Sequence, residues 1–257
     1  MRNFTIKNIL YKVRGSFGFI VLFILWSLLS RGLSSLVLPS PGEVAGAFYT
    51  IAREGKLLIS LLITFKRTLM GFLLAFSGGM MFALLMEKSL LLRKIFQPLV
   101  VTVQVTPPVV WLILAVVWFG MARELTPVFI VSVVVFPIML VNFLEGLDSF
   151  DRRLIQMARV FNSSKNRTFL HIILPGLAPY IISSTRVGFA FAWKADIFAE
   201  FLASSSGAGY MLSTANSLLD TASVFVWAIV LILVVLGVDL LLINPLKRRA
   251  SLWLVKS

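Results

Sequence analysis

Long stretches of this sequence contain no ionisable side chain. Residues 68–86, 95–122 and 125–144 lack Asp, Glu, Lys, Arg and His, and each stretch approaches or exceeds the roughly 20 apolar residues that cross a bilayer. Such runs are typical of transmembrane segments. Along the whole chain, the pattern predicts six spans, at 17 to 37, 61 to 86, 96 to 119, 125 to 145, 176 to 203 and 222 to 243.

The six spans are expected to be helices. Hydrocarbon offers no hydrogen-bond partner to the backbone, so a spanning segment must be a helix or belong to a closed barrel. These runs are continuously apolar and lack the alternation that barrel strands need. The sequence therefore predicts an all-α integral membrane protein of about six transmembrane helices, with residues 1–257 forming a single membrane domain.

Composition agrees with this prediction and excludes several classes of function. Charged residues make up only 14% of the chain, against about 25% in soluble domains. The net charge of +13 could indicate a nucleic-acid binder, but the basic residues flank apolar runs, so we expect a lipid bilayer and no nucleic acid as partner. The chain has no cysteine and a single histidine, His171, so we expect no catalytic residue, no metal site and no cofactor.

The distribution of basic residues predicts the orientation in the membrane. With the amino terminus inside, the opposite side receives only Arg31, Arg53, Lys56 and Arg123 as clear loop or end charges. The inner segments then hold sixteen: Arg2, Lys7, Lys12, Arg14, Lys88, Arg93, Lys94, Arg152, Arg153, Arg159, Lys165, Arg167, Lys247, Arg248, Arg249 and Lys256. The positive-inside rule therefore predicts a multi-pass protein of the cell membrane with both termini in the cytoplasm.

The inner segment at about 147–175 is long enough to hold structure of its own. Apolar residues at helical spacing predict a short amphipathic helix pair, and Asn162 is expected to break it because Asn tolerates the left-handed conformation at a helix end. Two interpretations are open: an interfacial helix lying on anionic lipid, or a docking element for a cytoplasmic partner.

The same segment resembles a motif of permeases of binding-protein-dependent ABC importers. Those permeases carry Glu-Ala-Ala, three residues, Gly, nine residues, Ile, one residue and Leu-Pro. This chain reproduces the spacing, with three substitutions relative to the motif, at Gln156, Met157 and Asn162. The motif positions present here are Gln156, Met157, Ala158, Asn162, Ile172, Leu174 and Pro175.

The resemblance extends over nearly the whole chain after residue 20. It points to the branch that serves nitrate, alkanesulfonates, taurine and pyrimidine-type vitamin precursors. One departure is Ile113, which stands where the branch usually has a second proline. The matching positions are Leu38, Pro39, Ser40, Pro41, Arg67, Gly71, Phe72, Pro107, Trp111, Leu114, Trp118, Phe119, Gly120, Phe136, Pro137, Asn142, Gly146, Trp193, Glu200, Gly207 and Gly209.

The resemblance implies a type I ABC importer permease that forms the substrate pathway with a second permease subunit. Permeases of this branch usually pair with a second copy of themselves as a homodimer, and a heterodimer stays open. Each copy would insert a coupling helix at 154–165 into a separate ATPase subunit, and an extracytoplasmic binding protein would deliver the cargo. The cargo would be a small anion such as a sulfonate or nitrate, or a pyrimidine-type vitamin precursor. The coupling contacts would be Gln156, Met157, Ala158, Arg159, Asn162, Leu174 and Pro175.

The chain has no nucleotide-binding motif of its own. Its one Gly-Lys pair, Gly55 and Lys56, is followed by Leu57 and lacks the upstream glycine of a P-loop. ATP hydrolysis is therefore expected in a separate ATPase subunit dimer.

Charged residues also lie within the predicted spans, where burial in lipid is costly. Asp196 and Glu200 are four residues apart and share a helix face, so they require a cation, which we predict to be Arg67 or Lys66. This pair is either a static structural contact or part of a gate or substrate contact. Candidate pathway or gate residues are Arg67, Trp193, Lys194, Asp196 and Glu200.

Asp239 near the inner end of the last span is expected to reach the interface or to pair locally, with Lys247 or a neighbour. It receives no functional role.

Two other classes of membrane protein compete with the permease. A secondary transporter or channel would also explain buried charges, but it would usually show internal repeats, and no second copy of any segment is visible. A membrane enzyme would need a cluster of His, Asp or Cys near one interface, which the scattered acids do not provide.

Overall fold

The computed structural model describes residues 18–149, 151–243 and 245. Within these residues the chain is helical and contains no strand, as predicted. The helices are α1 (Gly18–Gly32), α2 (Pro41–Arg53), α3 (Lys56–Lys88), α4 (Leu90–Val105), α5 (Pro108–Phe119), α6 (Leu125–Asp148), α7 (Arg152–Val160), α8 (Lys165–Thr168), α9 (Leu174–Ala203), α10 (Ala208–Ser217) and α11 (Thr221–Val238), with π-helical turns at Phe169–Ile173 and Asp239–Ile243.

Four continuous helical segments in the described residues are long and apolar enough to cross a membrane. They correspond to the second, fourth, fifth and sixth predicted spans, with ends that differ by up to six residues. Their bounds are Lys56–Lys88, Leu125–Asp148, Leu170–Ala203 and Thr221–Leu241.

The prediction of one continuous helix over 96 to 119 is wrong. Helices α4 and α5 meet at a bend of 95°. Thr106 has an extended backbone (ψ 124°) because the ring of a following proline disfavours the helical conformation, and Pro107 has no N–H to continue the α4 ladder. The bend therefore lies at Thr106 and Pro107, and Ile113, which replaces the second proline of the branch, lies inside α5. The bent pair makes a fifth span only if it crosses the membrane as one unit.

The first predicted span, 17 to 37, contains the shorter apolar helix α1, and residue 17 lies outside the described residues. The chain leaves the helix at Leu33, well before the predicted end. Four spans are therefore assigned from the length and hydropathy of the described helices. Helix α1 and the bent pair α4–α5 are the candidates for the remaining two of the predicted six.

The chain divides into two compact units. The first contains α1, α2 and the first part of α11, up to Val230. Within it, Trp26 stacks on Phe225 with ring centroids 5.9 Å apart and donates its indole N–H to the Pro39 carbonyl at 2.9 Å. Ser40 caps α2 in a reciprocal capping box with Glu43, which satisfies the free N–H groups of the first turn.

The second unit contains Ile59–Met211 and the chain from Leu231 onward. Its core is built mainly by α6 packed on α9 and α3. Glycines permit this packing: a Cβ on Gly71 would lie 2.6 Å from the Cβ of Val131, and a Cβ on Gly79 would lie 2.8 Å from that of Met139. Small residues let membrane helices approach closely, so these two glycines allow α3 to pack against α6.

The inner segment forms two helices, as predicted, but only α7 has an apolar and a polar side; α8 is a single polar turn of four residues. Asn162 is left-handed with φ 50°, and the Ser163 N–H donates to the Ala158 carbonyl at 2.9 Å. These two features form a Schellman motif, so the predicted break at Asn162 is confirmed.

Candidate functional site

Arg67 of α3 and Glu200 of α9 form a buried ion pair. The guanidinium Nη1 lies 2.8 Å from Glu200 Oε1, and the two side chains are only 3% and 0% exposed. The predicted pairing of Glu200 with a cation of the second span is confirmed, and the cation is Arg67. Lys66 instead lies on the exposed side of α3 and pairs with Glu124 at 3.2 Å.

The other oxygen of Glu200 is also occupied. Oε2 accepts from the Thr64 hydroxyl at 2.7 Å and from the Gly209 N–H at 3.0 Å. The Ala208 N–H in turn donates to the Thr64 hydroxyl oxygen at 2.8 Å. Glu200 therefore ties α3 to the start of α10, and the bonds to a charged acceptor are the stronger kind of hydrogen bond.

Arg67 holds the connection between α9 and α10 in place. Its guanidinium donates to the Ser204 hydroxyl at 3.2 Å, to the Ser206 carbonyl at 2.8 Å and to the Ser206 hydroxyl at 2.9 Å. The connection, residues 204–207, is non-helical. We call Arg67, Glu200 and this connection the α9–α10 clasp.

Glycine is required twice in the clasp. Gly207 has φ +102°, and a Cβ there would collide with the Glu200 carboxylate. A Cβ on Gly209 would lie 2.6 Å from the Ile197 carbonyl oxygen and 2.7 Å from the Glu200 Cβ. Positive φ at Gly207 and the close approach at Gly209 explain why the sequence carries Gly at both positions.

Asp196 lies one turn below Glu200 on the same face. It is fully buried, and its Oδ2 accepts from the Thr68 hydroxyl at 2.6 Å. Oδ1 has no hydrogen-bond partner among the described residues. The site thus contains two carboxyl groups and a single guanidinium, and Asp196 is the less completely bound of the two acids.

Thr64 and Thr68 are the site residues that sequence reasoning missed. They lie four residues apart on α3 and face Glu200 and Asp196, which have the same spacing on α9. The matching spacing of the two pairs is the signal that could have identified them.

The remaining candidate pathway residues lie away from the clasp. Trp193 is buried and donates its indole N–H to the Leu231 carbonyl at 3.2 Å, so it packs α9 on α11. Lys194 is exposed, with its ammonium 5.7 Å from the centroid of the Phe191 ring.

The partner predicted for Asp239 is wrong. Asp239 forms a bidentate pair with Arg186 of α9, with Nε–Oδ1 at 2.6 Å and Nη2–Oδ2 at 2.7 Å. Arg186 lies 53 residues away in sequence, whereas Lys247 lies outside the described residues. A guanidinium fork matches a carboxylate in this bidentate geometry, so the contact links two helices.

The predicted coupling residues are distributed over α7 and the start of α9. Gln156, Met157 and Asn162 are exposed, Ala158 is buried, and the side chain of Arg159 lies outside the description. Leu174, the first residue of α9, is exposed, and Pro175 follows in its first turn, where a missing N–H costs nothing.

The sequence and this arrangement match known proteins. Residues 75–246 match the family described as binding-protein-dependent transport system inner membrane component. The chain belongs to this family. It is therefore a transmembrane ABC transporter permease, and the predicted membership is confirmed. Members of this family are components of transport systems.

Individual members of the family align over most of this permease. The chain is 32% identical over 232 residues to the aliphatic sulfonates transport permease protein SsuC of Escherichia coli, covering 88% of this chain and 86% of SsuC. It is 28% identical over 244 residues to the taurine transport system permease protein TauC of E. coli, covering 91% of this chain and 86% of TauC.

A solved structure shares the fold of this permease. The crystal structure of an amino acid ABC transporter with histidines contains a chain that superposes with a TM-score of 0.60 at 14% identity, covering 78% of this chain and 97% of that chain. The predicted permease fold is thereby confirmed.

Proposed function

We propose that the chain is the pathway-forming subunit of an ATP-driven importer of small anions, with sulfonates as the leading class of cargo and nitrate as a further candidate. Support comes from the family match and from the alignment with SsuC and TauC, which are named for sulfonates and taurine. A pyrimidine-type vitamin precursor is the second candidate cargo. A binding protein would deliver the cargo at the outer face, and two copies of this chain would form the pathway between them.

The cytoplasmic contact of the proposed importer is α7. The helix exposes apolar residues that have no reason to face water, among them Met157 at 55% and Val160 at 81% exposure, while Ala158 on another side is 5% exposed. An exposed apolar surface flanked by polar residues marks an interaction site. We assign the coupling loop to about 147–175 and the ATPase contact to residues 154–165, with Gln156, Met157 and Asn162 at the surface and Arg159 in the same segment.

A separate ATPase dimer completes the proposed complex, because the chain lacks a P-loop. Closure of the two ATPases would move the two α7 helices together and change the access of the pathway. Both chain termini would lie in the cytoplasm, where the basic residues concentrate.

The α7 assignment is tested by co-purification. We expect the tagged chain, purified from its native membrane in mild detergent, to carry an ATPase subunit, and we expect Met157→Glu to abolish this recovery by placing a charge on the apolar contact. Met121→Glu is the matched control, because Met121 is exposed in the turn before α6, away from α7 along the chain. Loss of the ATPase with both variants, or with neither, would contradict the assignment.

In the same proposal the clasp has a holding role. Arg67, Asp196 and Glu200 fix α3 against α9 and hold the α9–α10 connection, and Trp193 fixes α9 against α11. Lys194 is the one of the five candidate pathway residues that is available for a contact outside the chain.

A further inference from the structure

Lys194 is an exposed cation within a helix that crosses the membrane. Its immediate neighbours Trp193 and Ala195 are buried, so Lys194 lies on the side of α9 that faces away from the core. Nine residues separate it from Ala203 at the helix end, which is about 13 Å along the axis. A lysine at that depth is costly against hydrocarbon and is usually found facing a bundle interior or a water-filled cavity.

The acids of α9 do not neutralise Lys194. Asp196 and Glu200 lie two and six residues further along the helix, on the buried side, where they bind Thr68 and Arg67. In the described residues no carboxylate forms a salt bridge with the Lys194 ammonium, and its recorded contact is the ring of Phe191 at 5.7 Å. The charge is therefore available to a group from outside this chain.

Lys194 lies on an exposed stripe of α9. Val187, Phe191 and Leu202 are each at least 42% exposed. From Val187 through Phe191 and Lys194 to Leu202 the successive separations are four, three and eight residues, which places all four on one side of a helix. The opposite side, which includes Trp193, Asp196 and Glu200, is buried in the core. We call Val187, Phe191, Lys194 and Leu202 the α9 stripe.

We propose that the α9 stripe lines the substrate pathway in the homodimer, and that Lys194 binds the anionic group of the cargo there. This inference rests on the proposed function, because a second copy must cover the stripe. Twofold symmetry would repeat the lysine from the other copy, and two ammonium groups that face a common path attract an anion between them. Each ammonium offers three donors to the oxygens of a sulfonate or nitrate. A neutral pyrimidine gains nothing from this arrangement.

The absence of cysteine in the chain permits a direct test with single-cysteine variants in membranes. Phe191→Cys places a thiol one helical turn from Lys194. The probes are two methanethiosulfonates of similar size, one carrying an ethylsulfonate and the other an ethyltrimethylammonium group. We expect Lys194→Gln to lower the ratio of the sulfonate rate to the trimethylammonium rate by about 10-fold or more. One unit charge at roughly 6 Å changes each rate about threefold even at the dielectric constant of water, and it changes the two rates in opposite directions.

Lys194→Arg is the conservative control and should keep the ratio within about twofold of the parent, because the charge is retained. Tyr49→Cys, exposed on α2 outside the spanning helices, is the positional control, and its ratio should not respond to Lys194→Gln. A ratio for the Phe191→Cys thiol that is unchanged by Lys194→Gln would overturn the anion contact. Failure of that thiol to react with either reagent would overturn the placement of the stripe on a water-filled path.

A second measurement separates this inference from the proposed homodimer. Leu202→Cys on the α9 stripe should form a disulfide with its copy under mild oxidation. Cross-linking at residue 202 together with an unchanged rate ratio at residue 191 would reject the role of Lys194 and leave the homodimer intact. Absence of cross-linking, with no reaction at residue 191, would reject the homodimer contact itself.

Discussion

The Thr68 hydroxyl lies 2.6 Å from Asp196 Oδ2, one helical turn from the place where Thr64 and Arg67 bind Glu200. The two carboxyl groups are spaced along α9 as the two threonines are along α3, and both are fully buried. They differ in what binds them. Both oxygens of Glu200 are bound, one by a guanidinium, whereas one oxygen of Asp196 has no partner among the described residues. This difference predicts different responses to mutation.

Glu200→Gln should destabilise the protein strongly. The change removes the carboxylate charge that the buried Arg67 guanidinium binds directly, and breaking a buried pair typically costs about 3–5 kcal/mol. The measurement is the free energy of unfolding in mixed detergent micelles. An unfolding free energy within about 1 kcal/mol of the parent would show that the pair does not hold α3 to α9.

Asp196→Asn should be tolerated. Asparagine keeps an acceptor for the Thr68 hydroxyl and removes a buried carboxyl group whose second oxygen is unbound, so we expect a change of less than about 1 kcal/mol, in either direction. The same unfolding assay checks it beside Glu200→Gln. Equal losses for the two variants would contradict the distinction between the two acids.

Gly207→Ala should weaken the α9–α10 clasp. The residue has φ +102°, and the added Cβ would collide with the Glu200 carboxylate. Gly55→Ala is the matched control, because Gly55 has φ +70° with open space around it. We expect a loss of about 1–2 kcal/mol for Gly55→Ala from backbone strain alone and a clearly larger loss for Gly207→Ala. Equal losses would mean that the collision with Glu200 does not matter.

The contribution of Glu43 to stability at the start of α2 should depend on pH. The Ser35 hydroxyl, and then the backbone N–H and hydroxyl of Ser40, hold the pKa of Glu43 below its usual range. A carboxyl group with a lowered folded-state pKa stabilises the fold above its unfolded-state pKa and loses that contribution as the pH falls through the folded-state pKa. Ser35→Ala should therefore raise the pKa of Glu43.

The Glu43 titration can be followed by NMR of a sample labelled at glutamate, with Glu43→Gln to assign the resonance. Thr50→Ala, which removes a hydroxyl elsewhere on α2, is the control. A pKa of Glu43 that responds equally to both variants would contradict the assigned cause.

The sequence pattern predicts those features whose absence would cost a large free energy. Apolar runs locate the four long spans because hydrocarbon requires continuous helices. The Arg67–Glu200 pair follows from the cost of placing two acids on one face of a membrane helix. The break at Asn162 follows from the tolerance of Asn for the left-handed conformation.

Other features leave little trace in the sequence. The hydropathy of Thr64 and Thr68 is compatible with any position in a membrane helix. Hydropathy therefore does not mark them as site residues. Averaged hydropathy also hides the bend at Thr106 and Pro107, because both arms are apolar, and only the consecutive prolines at 107 and 108 mark it. The partners Arg186 and Asp239 are 53 residues apart, and only the packing of α9 against the π-helical turn at Asp239–Ile243 brings them together.

The central proposal is import driven by a separate ATPase, and transport in a reconstituted system tests it most directly. The chain, the ATPase that co-purifies with it and the associated binding protein would be placed in proteoliposomes, and the uptake of a radiolabelled alkanesulfonate, nitrate and pyrimidine precursor would be followed. We predict uptake of an anionic cargo only when ATP is present on the ATPase side, and none with the chain alone. Uptake by the chain alone, without ATP, would contradict the proposal and indicate a secondary transporter or channel.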